Sequence, residues 1–347
     1  MRRFDYSFIK NLRVSTGALG LTNEIEVLRS KGEERKKDHT EVFSALESIA
    51  RLQSVKGSNA IEGIVTTDKR INEIVNENSA PLNHSEEEIS GYRDALDKIH
   101  NEHRSLDIMK DEIRTLHRIM MSHTEIRGGT YKTTNNLIIS IDREGIRRTI
   151  FEPVSAYDTP FSMEQLILAY VDARQDYGIN QMILIPCFIL DFLRIHPFAD
   201  GNGRVSRLLS LLLMYNNDID VGKYISFEGQ INKFKGSYYK ALDRSSEKWH
   251  TNENDYVPFI ENFLFMLSTC YRELDERFVT MENKKINKGN RIEATIMRSI
   301  NFISKKEIKE LLPDIALRTI EMKLSELLKD GKIKKIGSYK DAKYIRK

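Results

Sequence analysis

Ile195-His196-Pro197-Phe198-Ala199-Asp200-Gly201-Asn202-Gly203-Arg204-Val205-Ser206-Arg207 is the stretch on which the rest of the chain turns. It lies between two apolar segments, residues 186–195 and 208–214, each with the composition of a buried helix. A turn between core helices needs one glycine. This one carries two glycines around an asparagine, with a histidine, an acid and two arginines, so it is a chemical site rather than a solvated turn. Gly201-Asn202-Gly203 accommodates positive φ, and successive backbone N–H groups can then turn inward as an anion-binding nest. The next helix begins there and adds its free N–H groups and positive dipole end. Arg204 and Arg207, one turn apart on one face, add charge-assisted bonds to phosphate oxygens. Together these describe a cradle for a di- or triphosphate. Asp200 offers a hard oxygen ligand suited to Mg²⁺ shared with the phosphates. His196 stands at the rim, where neutral imidazole can take a proton from an incoming hydroxyl.

The same residues resemble the Fic motif (His, any, Phe, any, Asp or Glu, Gly, Asn, Gly, Arg, any, any, Arg) at every fixed position. The resemblance implies an all-α fold: a Fic helical core with a β-hairpin flap. It also implies transfer of AMP from Mg-ATP to a Ser, Thr or Tyr hydroxyl of a target protein and of the chain itself. Carried over by position, His196 is the base, Phe198 an apolar anchor and Asp200 the Mg²⁺ ligand. Gly201, Asn202 and Gly203 form the anion hole, and Arg204 and Arg207 hold phosphates.

Upstream, in the stretch Ser54 to Gly63, Ser58 and Glu62 share a helix face and Gly63 is a natural stop. Alone this is an ordinary helix end. Beside the motif it resembles the family's inhibitory helix, which makes Ser58 and Glu62 inhibitory and places the chain in the class with that helix N-terminal to the core. Glu62 is then expected to pair with Arg207. Residues 136–151 read as a β-hairpin turning at Asp142-Arg143-Glu144-Gly145, whose edge can receive an extended segment. By resemblance it is the flap on which a target protein docks. Gly129-Thr130-Tyr131-Lys132 departs from the family's Gly-x-Tyr-Arg, and Glu152-Pro153 from its Pro-Pro. Tyr238 and Tyr239 fall where the family places the nucleotide base.

The chain has 347 residues, 40% hydrophobic and 30% charged, with a net charge of +3. That length suits two to three units, and that charge does not make the whole molecule a polyelectrolyte binder. The expected division is 1–104, an N-terminal helical region with the inhibitory helix; 105–281, the Fic core; and 282–347, a small winged-helix-like domain. Cys187 and Cys270 sit in apolar helical contexts as core residues, and no apolar signal or membrane-length run occurs. These features point to a cytoplasmic protein without membrane contact, and leave a homodimer open. Ser85-Glu86-Glu87-Glu88 reads as a capping-box helix start, and Pro186 as a first-turn residue of the central helix. His100, His103, His117 and His123 lack acid partners at ligand spacing and read as core or surface; Trp249 and His250 show no chemistry. Residues 281–290 read as a linker, followed by helices at 292–303, 305–312 and 317–328 and a hairpin. From Lys288 to Lys347 there are 16 Lys or Arg against 8 Asp or Glu, which leaves the rest of the chain at −5. This end can meet DNA or a protein. Two functions compete with AMP transfer: removal of AMP from a target, with Glu62 orienting a water, and DNA-binding regulation with a nucleotide-sensing core.

Overall fold

The computed structural model describes residues 2–108, 110–141, 147–282, 288–299, 302–337 and 342–346. Two compact units divide the chain: Met1–Glu26 with Ala50–Cys270, and Val27–Ile49 with Tyr271–Lys347. The helices α1 (Thr16–Asp38) and α2 (Thr40–Ile61) open the fold. The next two start on side-chain caps. Thr67 accepts from Arg70 N–H at the start of α3 (Asp68–Glu77), and Asn83 from Glu86 N–H at the start of α4 (His84–Glu102). The cap of α4 therefore lies two residues before the expected Ser85. An amide at N-cap satisfies the free N–H as well as serine does, while the Glu86 carboxylate turns back to the Leu82 N–H.

After α5 (Lys110–Met120) comes an antiparallel pair, β1 (Ile138–Ile141) and β2 (Arg147–Phe151), with Ile139 opposite Thr149 and a bulge beside Ile138. The expected turn at 142–145 lies outside the described residues. Then follow α6 (Thr159–Arg174), α7 (Gln181–Ile195), α8 (Asn202–Tyr215), α9 (Phe227–Lys233), α10 (Lys235–Ser246) and α11 (Val257–Glu282). The two helices flanking the motif are apolar nearly all round, and such helices are buried on every side. In α8, Gly203 alone escapes full burial. Pro186 sits in the interior of α7, not in its first turn, because Asn180 caps the helix one turn earlier and its side chain accepts from Met182 N–H. Both cysteines are buried and free.

The second unit holds α12 (Lys288–Arg298), β3 (Ile303–Ser304), α13 (Lys305–Leu311), α14 (Leu317–Lys329), β4 (Ile333–Ile336) and β5 (Lys343–Arg346). Its antiparallel sheet runs β3-β5-β4 over a core that includes Ile292, Ile296, Ile308, Ile320, Leu324 and Tyr344. Ile303, expected at a helix end, is instead a strand residue opposite Tyr344. Ser304 explains the change: it caps α13 in a capping box with Glu307, so the chain entering it is extended. Within the expected linker 281–290, the described residues belong to α11 and α12, and 283–287 lie outside the description. Among the described residues no helix is long and apolar enough to cross a membrane.

Gly91 brings α4 close to α5, since a Cβ there would run into the Met120 carbonyl. Gly91→Ala is expected to cost about 1–3 kcal/mol through overpacking. The check is thermal unfolding, with the midpoint falling by several degrees.

Candidate active site

The α7 helix ends on His196, a C-cap in the left-handed region (φ 52°, ψ 61°). Few side chains adopt that conformation. The His196 Nδ1 lies 3.2 Å from the Leu193 carbonyl, which only accepts, so Nδ1 carries the proton and Nε2 keeps its lone pair. Burial lowers the His196 pKa to about 4, leaving the ring neutral at pH 7.

The loop after His196 is braced at each residue. Lys132 N–H donates to the Pro197 carbonyl at 2.9 Å, and Lys132 Nζ to the Ile195 carbonyl at 3.1 Å and Asn136 Oδ1 at 2.8 Å. Asn202 closes the loop as a small ring, accepting from Phe198 N–H at 2.9 Å and donating to its carbonyl at 2.8 Å. Its side chain therefore holds the loop, and only its backbone is available to a nest. His117 stacks on Phe198 with centroids 3.8 Å apart and planes 6° apart. Gly129 N–H donates to His117 Nδ1 at 2.8 Å, so Nε2–H donates to the Asp200 carbonyl at 3.1 Å. Burial lowers the His117 pKa to about 4 as well. His117, Lys132 and Asn136 are the site residues that sequence reasoning missed. Their spacing to the motif carries no signal, because the contacts join segments more than sixty residues apart.

Asp200 leaves its carboxylate 58% exposed, with Oδ1 accepting from Gly201 N–H at 2.7 Å. Gly201 has φ 78° and is the N-cap of α8, which no side chain caps. Gly203 is helical, so the expected run of positive φ is confined to Gly201. What Gly203 supplies is space: a Cβ there would run into Glu62 Oε1.

Both arginines are buried, with side chains 2% exposed. Arg204 Nη2 pairs with Glu88 at 2.6 Å, while its Nε and Nη1 are buried with no partner. Arg207 Nε donates to Ser58 Oγ at 2.8 Å, and its Nη2 to the Ser58 carbonyl at 3.0 Å and Glu62 Oε1 at 2.8 Å. The structure thus brings Ser58, Glu62 and Arg207 together. Several further contacts hold that end of α2. Lys235 Nζ donates to the Ile61 carbonyl, and Gly57 lies close to Gly229 N. The buried Glu228 accepts from Ser54 Oγ at 2.8 Å and Tyr92 Oη at 2.9 Å. Tyr238 is 6% exposed and edge-on to Phe259, so it is a core ring; Tyr239 is less buried. Burial raises both phenol pKa values, and the fields of Glu62 and Arg207 reach both.

Trp249 and His250 hold the base of the hairpin. Phe151 stacks on His250 (5.1 Å, 8°) and lies 4.6 Å below the Arg194 guanidinium, while His250 Nε2–H donates to the Glu152 carbonyl at 2.9 Å. Trp249 Nε1–H donates to the buried Asp191 at 2.6 Å.

The unpartnered donors of Arg204 and the uncapped start of α8 fit an anionic ligand. No group of three or more His, Cys, Asp or Glu side chains among the described residues could hold a metal by itself. A cation here would be shared between Asp200 and a bound phosphate, which suits Mg²⁺.

Residues 106–214, which contain this arrangement, match the Fic/DOC family. The chain carries a Fic/DOC-family domain with the corresponding helical fold. Three solved structures share that fold. A Fic family protein from Desulfovibrio desulfuricans G20 is 19% identical with a TM-score of 0.61, covering 97% of each chain. A Fic domain-containing signaling protein from Bacteroides thetaiotaomicron VPI-5482 is 20% identical with a TM-score of 0.55, covering 74% of this chain and 95% of that one. Fic-1 from C. elegans is 18% identical with a TM-score of 0.55, covering 73% and 70%. A curated relative, the ribonucleoside-diphosphate reductase small chain of Ostreid herpesvirus 1 (isolate France), is 30% identical over 104 residues. This match covers 28% of this chain and 17% of that protein, so the chain spans under a fifth of its relative's length. Fic domains generally transfer a nucleoside monophosphate to proteins.

The neutral histidines give the fold an acid limit. Unfolded histidine titrates near about 6.5, whereas burial lowers His196 and His117 to about 4 and His100 to about 3. Between those values the unfolded chain binds more protons, so this stability is complete above about pH 6.5 and is lost as pH falls toward 4, up to about 3 kcal/mol per group. Thermal midpoints are expected to be flat from pH 8 to 7 and to fall steadily from 6.5 to 4.5.

Proposed function

We infer that the protein is an adenylyltransferase, moving AMP from Mg-ATP to a hydroxyl of a target protein and of itself, and that Glu62 holds it in check. The observation carrying this reading is Arg207: a buried guanidinium of α8, engaged by Ser58 of α2 and by Glu62 in the turn just after it, where a phosphate would otherwise sit.

ATP places its phosphates against the first N–H groups of α8 and the free donors of Arg204. Mg²⁺, when held by Asp200 and phosphate oxygens, neutralises charge on the departing pyrophosphate. The target segment lies along the 136–151 hairpin and presents its hydroxyl to His196, whose Nε2 takes the proton. The oxygen then forms a bond to the α-phosphorus, the bond to pyrophosphate breaks, and AMP remains on the target. Positioning and charge neutralisation carry most of the rate gain. With Glu62 on Arg207, the γ-phosphate loses its ligand and the α-phosphorus is out of line. A preference of about 3 kcal/mol for that closed arrangement suppresses turnover about a hundredfold. The engaged carboxylate supports restraint rather than water activation, the role that AMP removal would need.

Glu62→Gly is expected to raise self-modification with labelled ATP by one to three orders of magnitude, with little change in ATP affinity. Arg207→Ala should be inactive, and the double variant nearly as inactive, because the two residues meet at one position. A Glu62→Gly rate within twofold of wild type at saturating ATP would remove the autoinhibition.

His196→Ala should bind ATP almost as the parent does and transfer almost nothing, since loss of a general base typically costs about 10² to 10⁴ in rate. Transfer above about 10% of the parent rate would sink the assignment.

A further inference from the structure

The second unit carries a charge that the site in the first does not use. Of residues 288–347, 16 are Lys or Arg and 8 are Asp or Glu, and half of those acids are already paired within the unit. Glu293 pairs with Lys332 at 2.7 Å, Asp314 with Arg291 at 2.7 Å, Glu321 with Lys305 at 2.8 Å and Glu326 with Lys323 at 2.5 Å. Glu307 is engaged in the capping box of α13. The cations left over are not scattered.

On α14, Ile320, Leu324 and Leu327 are buried. At 3.6 residues per turn the opposite face is Arg318, Met322, Ser325 and Lys329, and all four are exposed. That stripe holds two cations, one hydroxyl and no acid; Glu321 and Glu326 lie to its two sides, each tied to a lysine. On the sheet, Lys334 faces Ile345 and Lys343 faces Ile336 across the β4–β5 ladder, so both lysines share one face. Lys334, Lys335 and Lys343 are all exposed. None of these five cations has an ion-pair partner among the described residues.

We propose that this unit binds the phosphate backbone of double-stranded nucleic acid through the outer stripe of α14 and the lysines of β4 and β5. Arg318 and Lys329 stand about 16 Å apart along the helix, roughly the rise of five base pairs. That separation suits a repeating polyanion better than a single anion. Ser325 between them donates its hydroxyl to the Glu321 carbonyl at 2.9 Å, so the charged side chains carry the contact. The stripe has one apolar residue, Met322, and no aromatic ring, whereas a helix that lies in a membrane interface needs an apolar face. The contacts are to backbone, so affinity follows salt rather than base sequence.

The test uses the full chain and a labelled random-sequence duplex of about 20 base pairs, read by fluorescence anisotropy from 50 to 200 mM salt. With four to five phosphate contacts, log affinity should fall against log salt with a slope of about −4. Arg318→Glu with Lys329→Glu, and separately Lys334→Glu with Lys343→Glu, should each make the slope shallower by about two, with transfer activity unchanged. Paired Gln substitutions at the same positions keep the test if a charge reversal unfolds the unit, and should give the same ranking. Three results would overturn the proposal: no duplex binding at 50 mM salt, a slope unchanged in both double variants, or binding to phosphatidylserine vesicles or poly-glutamate but not to the duplex.

Discussion

Taking a guanidinium out of water costs several kcal/mol, a cost that matched donors offset. Arg207 is such a group, and everything around it is arranged to match it. It sits on a helix buried on nearly all sides, so its partners must come from outside that helix. They come from the end of α2 and the turn after it, as a hydroxyl and a carbonyl of Ser58 and the carboxylate of Glu62. If α2 moves away, the arginine must find another anion at once. Under the proposed function, the stability of the closed form and the affinity for phosphate are two answers to one electrostatic demand. The tight packing of α2 at Gly57 and its bonds to Glu228 and Lys235 set how readily one replaces the other.

The motif loop faces a different constraint. Its residues must keep a fixed shape while exposing backbone and carboxylate, so they cannot satisfy one another. Groups from outside do much of it instead: His117 from α5, with Lys132 and Asn136 from the segment before β1, while Asn202 at the start of α8 closes the loop on Phe198. Such support keeps the reacting groups in place before any ligand arrives, which is how preorganised sites gain their advantage. The neutral state of His196 comes from the same enclosure, through burial.

Much of this was legible in the sequence. The glycines, arginines and acid of 195–207 mark that loop as the candidate site by composition. The four-residue step from Ser58 to Glu62 predicts one helix face; the helix ends at Ile61, yet both residues reach Arg207, and the helix order of the last sixty residues follows from periodicity. What was not legible depends on contacts between distant segments. His117 looks like any core histidine until Gly129 and Asp200 are seen on its two nitrogens. Lys132 looks like a departure from a pattern until its Nζ is found on the Ile195 carbonyl. Glu88 is one of three consecutive glutamates, and only folding selects it for Arg204. Pro186 misled because a helix start was read from the proline when the cap one turn earlier decides it.

Gly203 ties the two uses of the site together. The Glu62 carboxylate occupies the space where a side chain at position 203 would be, beside the first N–H groups of α8. Under the proposed function, inhibitor and nucleotide share that one space, left by a single missing carbon. Restraint would then be lost by any substitution at Glu62 that leaves the space intact. Filling it at Gly203 would crowd inhibitor and nucleotide together, so control would be discarded here more simply than retuned.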